Sequence, residues 1–546
     1  MKSSDNKDPA KLAIALAQLN PHLGNVKSNT EKLITAHAKA ANLGADILVT
    51  PEMYLAGYPC DDLVYRSDFM AEIEAALTDI ATYTTSDMPA IIIGAPRRQE
   101  GVLYNSLFVL DEGRICHHYD KMNLPNYGVF DEKRYFSSGN EIFNFKIKGH
   151  KIGLSICEDI WINESKYLNK DIPDLLLNLS ASPFTVNKQK QRISTIKNFI
   201  SKSKIPVGYC NLIGGQDELV FDGNSMFLDS NGKVVGCAKS FHEDLLVSNF
   251  PFRKIKSVKT NTNNTKVFDA LVLGLKDYVS KNGFSKVVIG ISGGVDSALV
   301  AAISVKALGK SNVLGIAMPS KCNTKISNTL AHKLCTNLGI KLKILPIQEL
   351  FDLNLNLLYE SIFPNTTWDI TEENLQSRIR SNILMAISNK MNYMLLSTGN
   401  KSEMSMGYST IYGDLAGGFA PLKDITKSMV YKLCISYNRL NPKNKIPNKI
   451  ITREPSAELK HDQKDSDTLP SYKILDEVLN LYVEKFGTVD EISSSLGLSK
   501  AFVRKIMNSI QRNEFKRRQG PPGVKVTDIS FGKDRRFPIT NGFKNF

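Results

Sequence analysis

The apolar run KVVIGI (286–291) passes into Ser292-Gly293-Gly294-Val295-Asp296-Ser297 and then directly into the helical run ALVAAISVKAL (298–308). A strand that turns on two glycines into a helix can fold in few ways. Glycine lets the backbone approach an anion closely, and the first turn of the helix offers unpaired N–H groups at the positive end of its dipole. The segment Gly290, Ile291, Ser292, Gly293, Gly294, Val295, Asp296 and Ser297 therefore reads as a phosphate-binding loop. Gly309-Lys310-Ser311 imitates the end of another phosphate motif, but Ser304 stands where a glycine is needed and the segment closes a helix instead of opening one.

Around this loop the pattern alternates. A helix is expected at about 267–281, strands at 286–291 and 313–318, a helix at 327–338 and a further strand KLKILPI at 341–347. Such alternation implies a doubly wound parallel sheet. The first half is also α/β but richer in strands, with apolar runs at 12–17, 46–50, 90–95, 106–110, 152–156, 174–179 and 206–212. A helix there is expected at about 30–42, capped by Asn29-Thr30 and ended at Gly44. The polar stretch 256–266 lacks apolar periodicity and reads as a linker, so the expected domains are 10–255 and 267–546. A chain of 546 residues needs more than one core.

Composition narrows the class. With 42% hydrophobic and 23% charged residues the chain is a globular type. Eight cysteines occur without a C-x-x-C pair, which argues against a disulfide framework or a structural zinc site. Two aspartates precede a short apolar stretch near the start, so no secretory leader is expected, and no apolar run approaches the ~18 residues of a membrane span. A cytoplasmic enzyme is the expectation. The net charge of +14 is diffuse except at Lys516-Arg517-Arg518. It is read mainly as solvated surface, with a local part serving an anionic small molecule.

The hexapeptide at 292–297 resembles the pyrophosphate loop of the N-type ATP pyrophosphatases, whose substrates are diverse. Further blocks narrow the choice: Glu373 to Arg380, Leu396 to Glu403, Tyr412 to Phe419, Pro421 to Lys427, Pro455 to Leu459 and Lys516 to Gly523. In this order and spacing they resemble the NAD synthetases over essentially all of 265–530. The resemblance implies ATP as co-substrate and Mg²⁺ held by Asp296 and Glu403. It places Thr398, Lys427 and Ser456 on ATP, and Asn374, Arg378, Glu403 and Lys516 on deamido-NAD. The chemistry suits these residue types, because a carboxylate must become an acyl adenylate before it can be amidated, and phosphate charge needs cations. The run Lys321 to Thr329 departs from the family pattern, so contacts there do not transfer.

In the first half three residues follow strand-like runs: Glu52, Lys121 and Cys157. A thiol of ordinary pKa ~8.5 needs a neighbouring base or cation to act as a nucleophile; Glu52 can take its proton, and Lys121 can stabilise thiolate and oxyanion. Pro51-Glu52-Met53, Asp120 to Pro125 and Cys157 to Trp161 resemble the three signatures of the nitrilase superfamily, an αββα sandwich. They are most similar to the glutaminase domain fused to glutamine-dependent NAD synthetases, over roughly 10–250. The resemblance implies glutamine contacts from Tyr127, Ser182 and Lys188 and a supporting carboxylate at Glu132. It also implies that ammonia is channelled to the synthetase site. If ammonium titrates like a lysine, well under 1% is nucleophilic at neutral pH, which gives the fusion a reason.

Two other enzymes share parts of this pattern. A tRNA-modifying pyrophosphatase would carry an RNA-binding appendage or a cysteine pair, and another glutamine amidotransferase would change the acid. The blocks from 371 to 427 argue against both, and intact Glu52, Lys121, Cys157, Asp296 and Glu403 argue against a decayed scaffold. The expected partners are glutamine, ATP and deamido-NAD, with no nucleic acid and no membrane, in a homo-oligomer built on a synthetase-domain dimer.

Overall fold

The computed structural model describes residues 11–162, 171–253, 262–364 and 366–543. The chain divides into two compact units, Met1–Gln216 with Val220–Thr260, and Asp217–Leu219 with Asn261–Phe546.

In the first unit the strands are β1 (Leu12–Gln18), β2 (Ile47–Val49), β3 (Ala90–Gln99), β4 (Val102–Asp111), β5 (Arg114–Asp120), β6 (Asn144–Ile147), β7 (His150–Ile156), β8 (Leu175–Ser180), β9 (Val207–Asn211), β10 (Ile213–Gln216), β11 (Leu219–Asp222), β12 (Met226–Leu228), β13 (Val234–Cys237) and β14 (Asp244–Phe250). Among the described residues one sheet runs β14-β1-β2-β3-β4-β5 and another β13-β12-β9-β8-β7-β6. Leu12, Ile14 and Leu16 of the first sheet share one core with Leu175, Leu177 and Leu179 of the second. Every residue of β1 and of β8 is buried, as strands covered on both faces must be. Ile196, Phe199 and Ile200 of the helix Lys188–Ser203 join the same core, and the helix Ser67–Ala81 packs on β3. These are the layers of an αββα sandwich.

The first helix differs from its expected start. It spans Val26–Asn42 and is capped by Asn25, whose side chain accepts from the Ser28 amide at 3.1 Å. Asn29 is buried inside it and donates to the carbonyls of His22 and Leu55 at 3.0 Å, so a residue read as a cap serves as an internal tie.

In the second unit β15 (Val287–Gly290), β16 (Val313–Ala317), β17 (Lys341–Ile344) and β18 (Met394–Leu396) form a parallel sheet in the order β17-β16-β15-β18. After β15 the chain moves outward through β16 and β17, then returns to the opposite side of β15 as β18. The order reverses there, and in open α/β sheets ligands bind in the crevice at such a switch point. Strand β17 ends at Ile344, short of the expected 347, and is largely exposed along its length. Of the stretch read as a linker, 256–261 lies outside the described residues, while 263–266 is already the first turn of the helix Asn263–Lys281. The helices Tyr472–Leu479, Val489–Leu496 and Lys500–Arg512 form a further core around Leu475, Ile492 and Ile506.

Candidate active sites

Strands β2, β5 and β7 each lead to one of the three expected catalytic side chains in the first unit. Glu52, Lys121 and Cys157 lie just beyond their ends, all buried. Lys121 Nζ donates to Glu52 Oε1 at 2.7 Å and to Glu132 Oε1 at 2.8 Å. Asn105 Nδ2 bridges the same two carboxylates, at 2.8 Å from Glu52 Oε1 and 3.3 Å from Glu132 Oε2. Tyr58 OH donates to Glu132 Oε1 at 2.8 Å, and the Ala181 amide donates to Glu52 Oε2 at 2.8 Å. Burial by itself would pull Lys121 down; the carboxylates of Glu132 and Glu52 outweigh it and hold the ammonium well above the ordinary lysine range. Burial also pushes Glu132 up to about 7, against the pull of Lys121.

Cys157 sits in a tight turn with φ +39°, a conformation rare for a residue with a Cβ. Its amide donates to the Leu179 carbonyl at 2.8 Å. Burial drives its thiol well above the ordinary range, with Glu52 adding and Lys121 opposing. The resting sulfur is therefore protonated, and nucleophilic attack requires a base to remove that proton as the bond forms.

The expected glutamine contacts cluster nearby. Tyr127 is 55% exposed and its hydroxyl donates to Glu158 Oε1 at 3.0 Å. Lys188 Nζ lies 4.7 Å from the centre of the Trp161 ring. Ser182 is buried, and its Oγ accepts from Arg192 Nε at 3.0 Å. Because that oxygen accepts from a guanidinium, the Ser182 proton is directed elsewhere and is available to an acceptor. Arg192 itself is fully buried against Asp222 at 2.7 Å.

The second unit holds a cavity of about 370 Å³ at the carboxyl ends of β15 and β18, lined by the whole of 290–297 together with Thr398, Lys427, Ser456, Asn374, Glu403 and Lys516. Gly294 caps the helix Val295–Leu308, and Gly293 has φ +82°. A Cβ at Gly293 would lie 2.4 Å from the Ser327 carbonyl oxygen, so glycine is required there. Lys427 Nζ donates to Asp296 Oδ2 at 2.7 Å and to Glu403 Oε1 at 2.8 Å. Burial raises Glu403 to about 7, with Lys427 opposing and Asp296 adding. Asn400 donates to Asp296 Oδ1 at 2.9 Å while its own Oδ1 accepts from the Glu403 amide at 3.0 Å, so a helix cap also orients both carboxylates.

Arg378 does not line this cavity. It is exposed, and its Nε donates to the Ile411 carbonyl at 3.3 Å. Ile370, Asn374, Ser377, Ser381 and Leu384 recur at steps of three and four and turn one face of the helix Ile370–Met391 to the cavity. Arg380 lies on that lining as well, its pKa lowered to about 10 by burial, and donates to the Met318 carbonyl at 3.0 Å. The helical period, carried forward from Asn374, would have found this face. The basic cluster is committed internally: Arg517 is buried against Glu514 at 2.8 Å, Arg518 reaches Glu514 at 3.0 Å, and Lys516 Nζ donates to the carbonyls of Gly407 and Ser409 at 2.9 and 3.1 Å.

Comparison with known proteins agrees with this division. Residues 13–260 match the carbon-nitrogen hydrolase family and residues 267–520 match the NAD synthase family. The chain is 42% identical over 574 residues to the glutamine-dependent NAD(+) synthetase of Thermotoga maritima, covering 98% of this chain and 99% of that protein. It is 40% identical over 537 residues to the glutamine-dependent NAD(+) synthetase of Acinetobacter baylyi, covering 97% and 98%. Among solved structures, the glutamine-dependent NAD+ synthetase of Acinetobacter baumannii in complex with ADP is similar with a TM-score of 0.79 and 38% identity, covering 98% of this chain and all of that one. With both halves matched and relatives aligned over nearly its whole length, this chain belongs to the glutamine-dependent NAD(+) synthetases.

Proposed function

We propose that the family's reaction is divided between residues 10–255, which release ammonia from glutamine, and residues 267–546, which activate deamido-NAD with ATP and amidate it. The observation that carries this reading is the presence of two separate ionic clusters, Glu52–Lys121–Glu132 beside a buried thiol and Asp296–Lys427–Glu403 beside a phosphate loop.

In the first cluster Glu52 takes the thiol proton of Cys157 as the sulfur attacks the carboxamide carbon of glutamine. Lys121, kept cationic by its two carboxylates, stabilises the oxyanion, and Glu52 returns the proton to the departing NH₃. Water then attacks the thioester with Glu52 again as base, releasing glutamate. Tyr127, Ser182 and Lys188 hold the substrate, with the free Ser182 proton suited to a carboxylate oxygen.

In the second unit the phosphates of ATP rest on 292–297, with Thr398, Lys427 and Ser456 alongside. Asp296 and Glu403 suit Mg²⁺: they are hard oxygen donors, they outnumber the one ammonium between them, and Mg²⁺ needs few protein ligands when phosphates supply others. Held by Asp296 and Glu403, such an ion would supply positive charge against the phosphates. Asn374, Glu403 and Lys516 contact deamido-NAD, whose carboxylate attacks the α-phosphate to give an acyl adenylate and pyrophosphate. Ammonia then displaces AMP.

The eight cysteines are all free, which suits a cytoplasmic setting, and among the described residues no helix is long and apolar enough to cross a membrane. A homo-oligomer built on the synthetase domain is supported by Leu350, Leu353 and Leu357, which share one face of the helix Gln348–Ser361 and stay 46%, 66% and 64% exposed.

The test is the nitrogen source. Cys157→Ala should lower glutamine-driven NAD formation by at least about 10³-fold and leave ammonium-driven formation within about twofold. Equal loss of both rates in a folded variant would refute the division.

A further inference from the structure

Asp159 lies two residues beyond Cys157 and is 1% exposed. Its carboxylate makes contacts in two directions. Oδ2 accepts from the Ile156 amide at 3.1 Å and from Tyr119 OH at 2.7 Å. Oδ1 accepts from the Asn123 amide at 2.8 Å, the Met122 amide at 3.2 Å and Asn123 Nδ2 at 3.2 Å. One carboxylate therefore grips the residue before Cys157, the backbone just after Lys121, and a side chain two residues before Lys121. Strands β5 and β7 that carry these residues are not neighbours in one sheet, so nothing in strand register fixes Lys121 against Cys157.

The turn at Cys157 needs such a restraint. A non-glycine residue at φ +39° persists only where its surroundings over-determine it. The Leu179 carbonyl holds the Cys157 amide, and Asp159 holds the amide on the preceding residue. We propose that Asp159 is the positioning residue of the glutaminase site, a carboxylate staple that sets the Lys121 ammonium against the Cys157 sulfur. This deepens the glutaminase assignment above and rests on it. Asp159 touches no reacting atom in this account; it acts through the two backbone segments.

Asp159→Asn keeps the shape but replaces one accepting oxygen by an amide that donates. Either the Ile156 amide or the pair at Met122 and Asn123 then faces a donor, so one side of the staple opens. In the full-length protein, kcat for glutamine-driven synthesis should fall about 10²-fold, the loss typical of a displacement near 1 Å at a reacting centre. KM for glutamine should stay within about threefold and the ammonium-driven rate should be unchanged. Alkylation of Cys157 by iodoacetamide should slow in parallel. A normal kcat, or a raised KM with kcat retained, would overturn the proposal.

Cys157→Ala, assayed beside it, separates the levels. If that variant still uses glutamine, the glutaminase assignment fails and takes the staple with it; if it is dead while Asp159→Asn is normal, only the staple fails. Should Asp159→Asn not fold, Asn123→Ala removes a single donor from the same carboxylate and should lower kcat by about threefold at constant KM, near the net worth of one hydrogen bond. No change in kcat there would overturn the proposal equally.

Discussion

Two lysines in this molecule solve the same electrostatic problem and are left in different surroundings. Lys121 is held between Glu52 and Glu132, Lys427 between Asp296 and Glu403, and each ammonium makes contacts of 2.7 and 2.8 Å. In the first cluster both carboxylate side chains are at most 4% exposed and Asn105 closes over them; in the second they retain 17% and 18% and line a cavity. Charges sealed from water suit moving one proton to and from a thiol. Charges that keep one open side can accept a further cation and its phosphates. The same three-group arrangement is thus closed to water in one unit and open to a cavity in the other, and the acid–base and ion-binding roles proposed for them follow that difference.

The sharpest way to break this contrast is to remove charge from the open cluster. Asp296→Asn and Glu403→Gln should each lower AMP release and NAD formation by about 10² to 10³-fold with either nitrogen source, since the stabilisation of phosphate charge is lost. Glu52→Gln should stop the glutamine-driven rate while sparing the ammonium-driven one. Near-normal AMP release in either open-cluster variant would take that residue out of the phosphate chemistry.

A smaller effect is expected at the cavity's far wall. Lys516 is anchored to the Gly407 and Ser409 carbonyls and lines the cavity, and burial lowers its pKa, with Asp414 opposing. Lys516→Ala should raise KM for deamido-NAD on the order of tenfold, in line with one charged hydrogen bond, and leave glutamine hydrolysis unchanged. An unaltered KM with loss of salt-sensitive RNA binding would instead reopen the nucleic-acid reading.

The smallest effect is one of pH, and it concerns both clusters. Glu132 and Glu403 are each raised by burial from 4.5 to about 7, so between those values the folded protein binds more protons than the unfolded chain. Stability must then fall as pH rises through that window. The melting temperature of substrate-free protein should decline from about pH 5 to about pH 7, and Glu132→Gln and Glu403→Gln should each flatten the decline. Steepness retained in one variant would show that its carboxyl ionises normally.

The expected site residues were legible because strand ends and family signatures coincide. Glu52, Lys121 and Cys157 follow β2, β5 and β7 and lie in three segments that resemble nitrilase signatures, while the glycine loop beyond β15 stands out by its strand–loop–helix pattern alone. Asn105 and Tyr58 were not legible. They reach Glu132 from positions 27 and 74 residues away, and only sheet packing brings them there. Arg378 was read from a motif and stands on the exposed side of its helix, beside the stripe that lines the cavity. The Val503, Ile506, Met507 and Ile510 period was readable as a helix, but a reading built on strand–helix alternation leaves it unused.

The run 321–329 departs from the family's pattern, yet Asn323, Ser327 and Asn328 border the cavity of the second unit. Glu458 explains how they can. Its Oε2 accepts from Asn323 Nδ2 at 3.0 Å, and its Oε1 accepts from Thr324 Oγ1 at 2.9 Å, Ser327 Oγ at 2.7 Å and Arg453 Nη2 at 2.5 Å. What this acceptor demands of the run is three hydrogens at set places, and amides or hydroxyls serve equally. Lys321 and Cys322 give nothing to that carboxylate, so their side chains can vary without taking a donor away from this wall of the cavity.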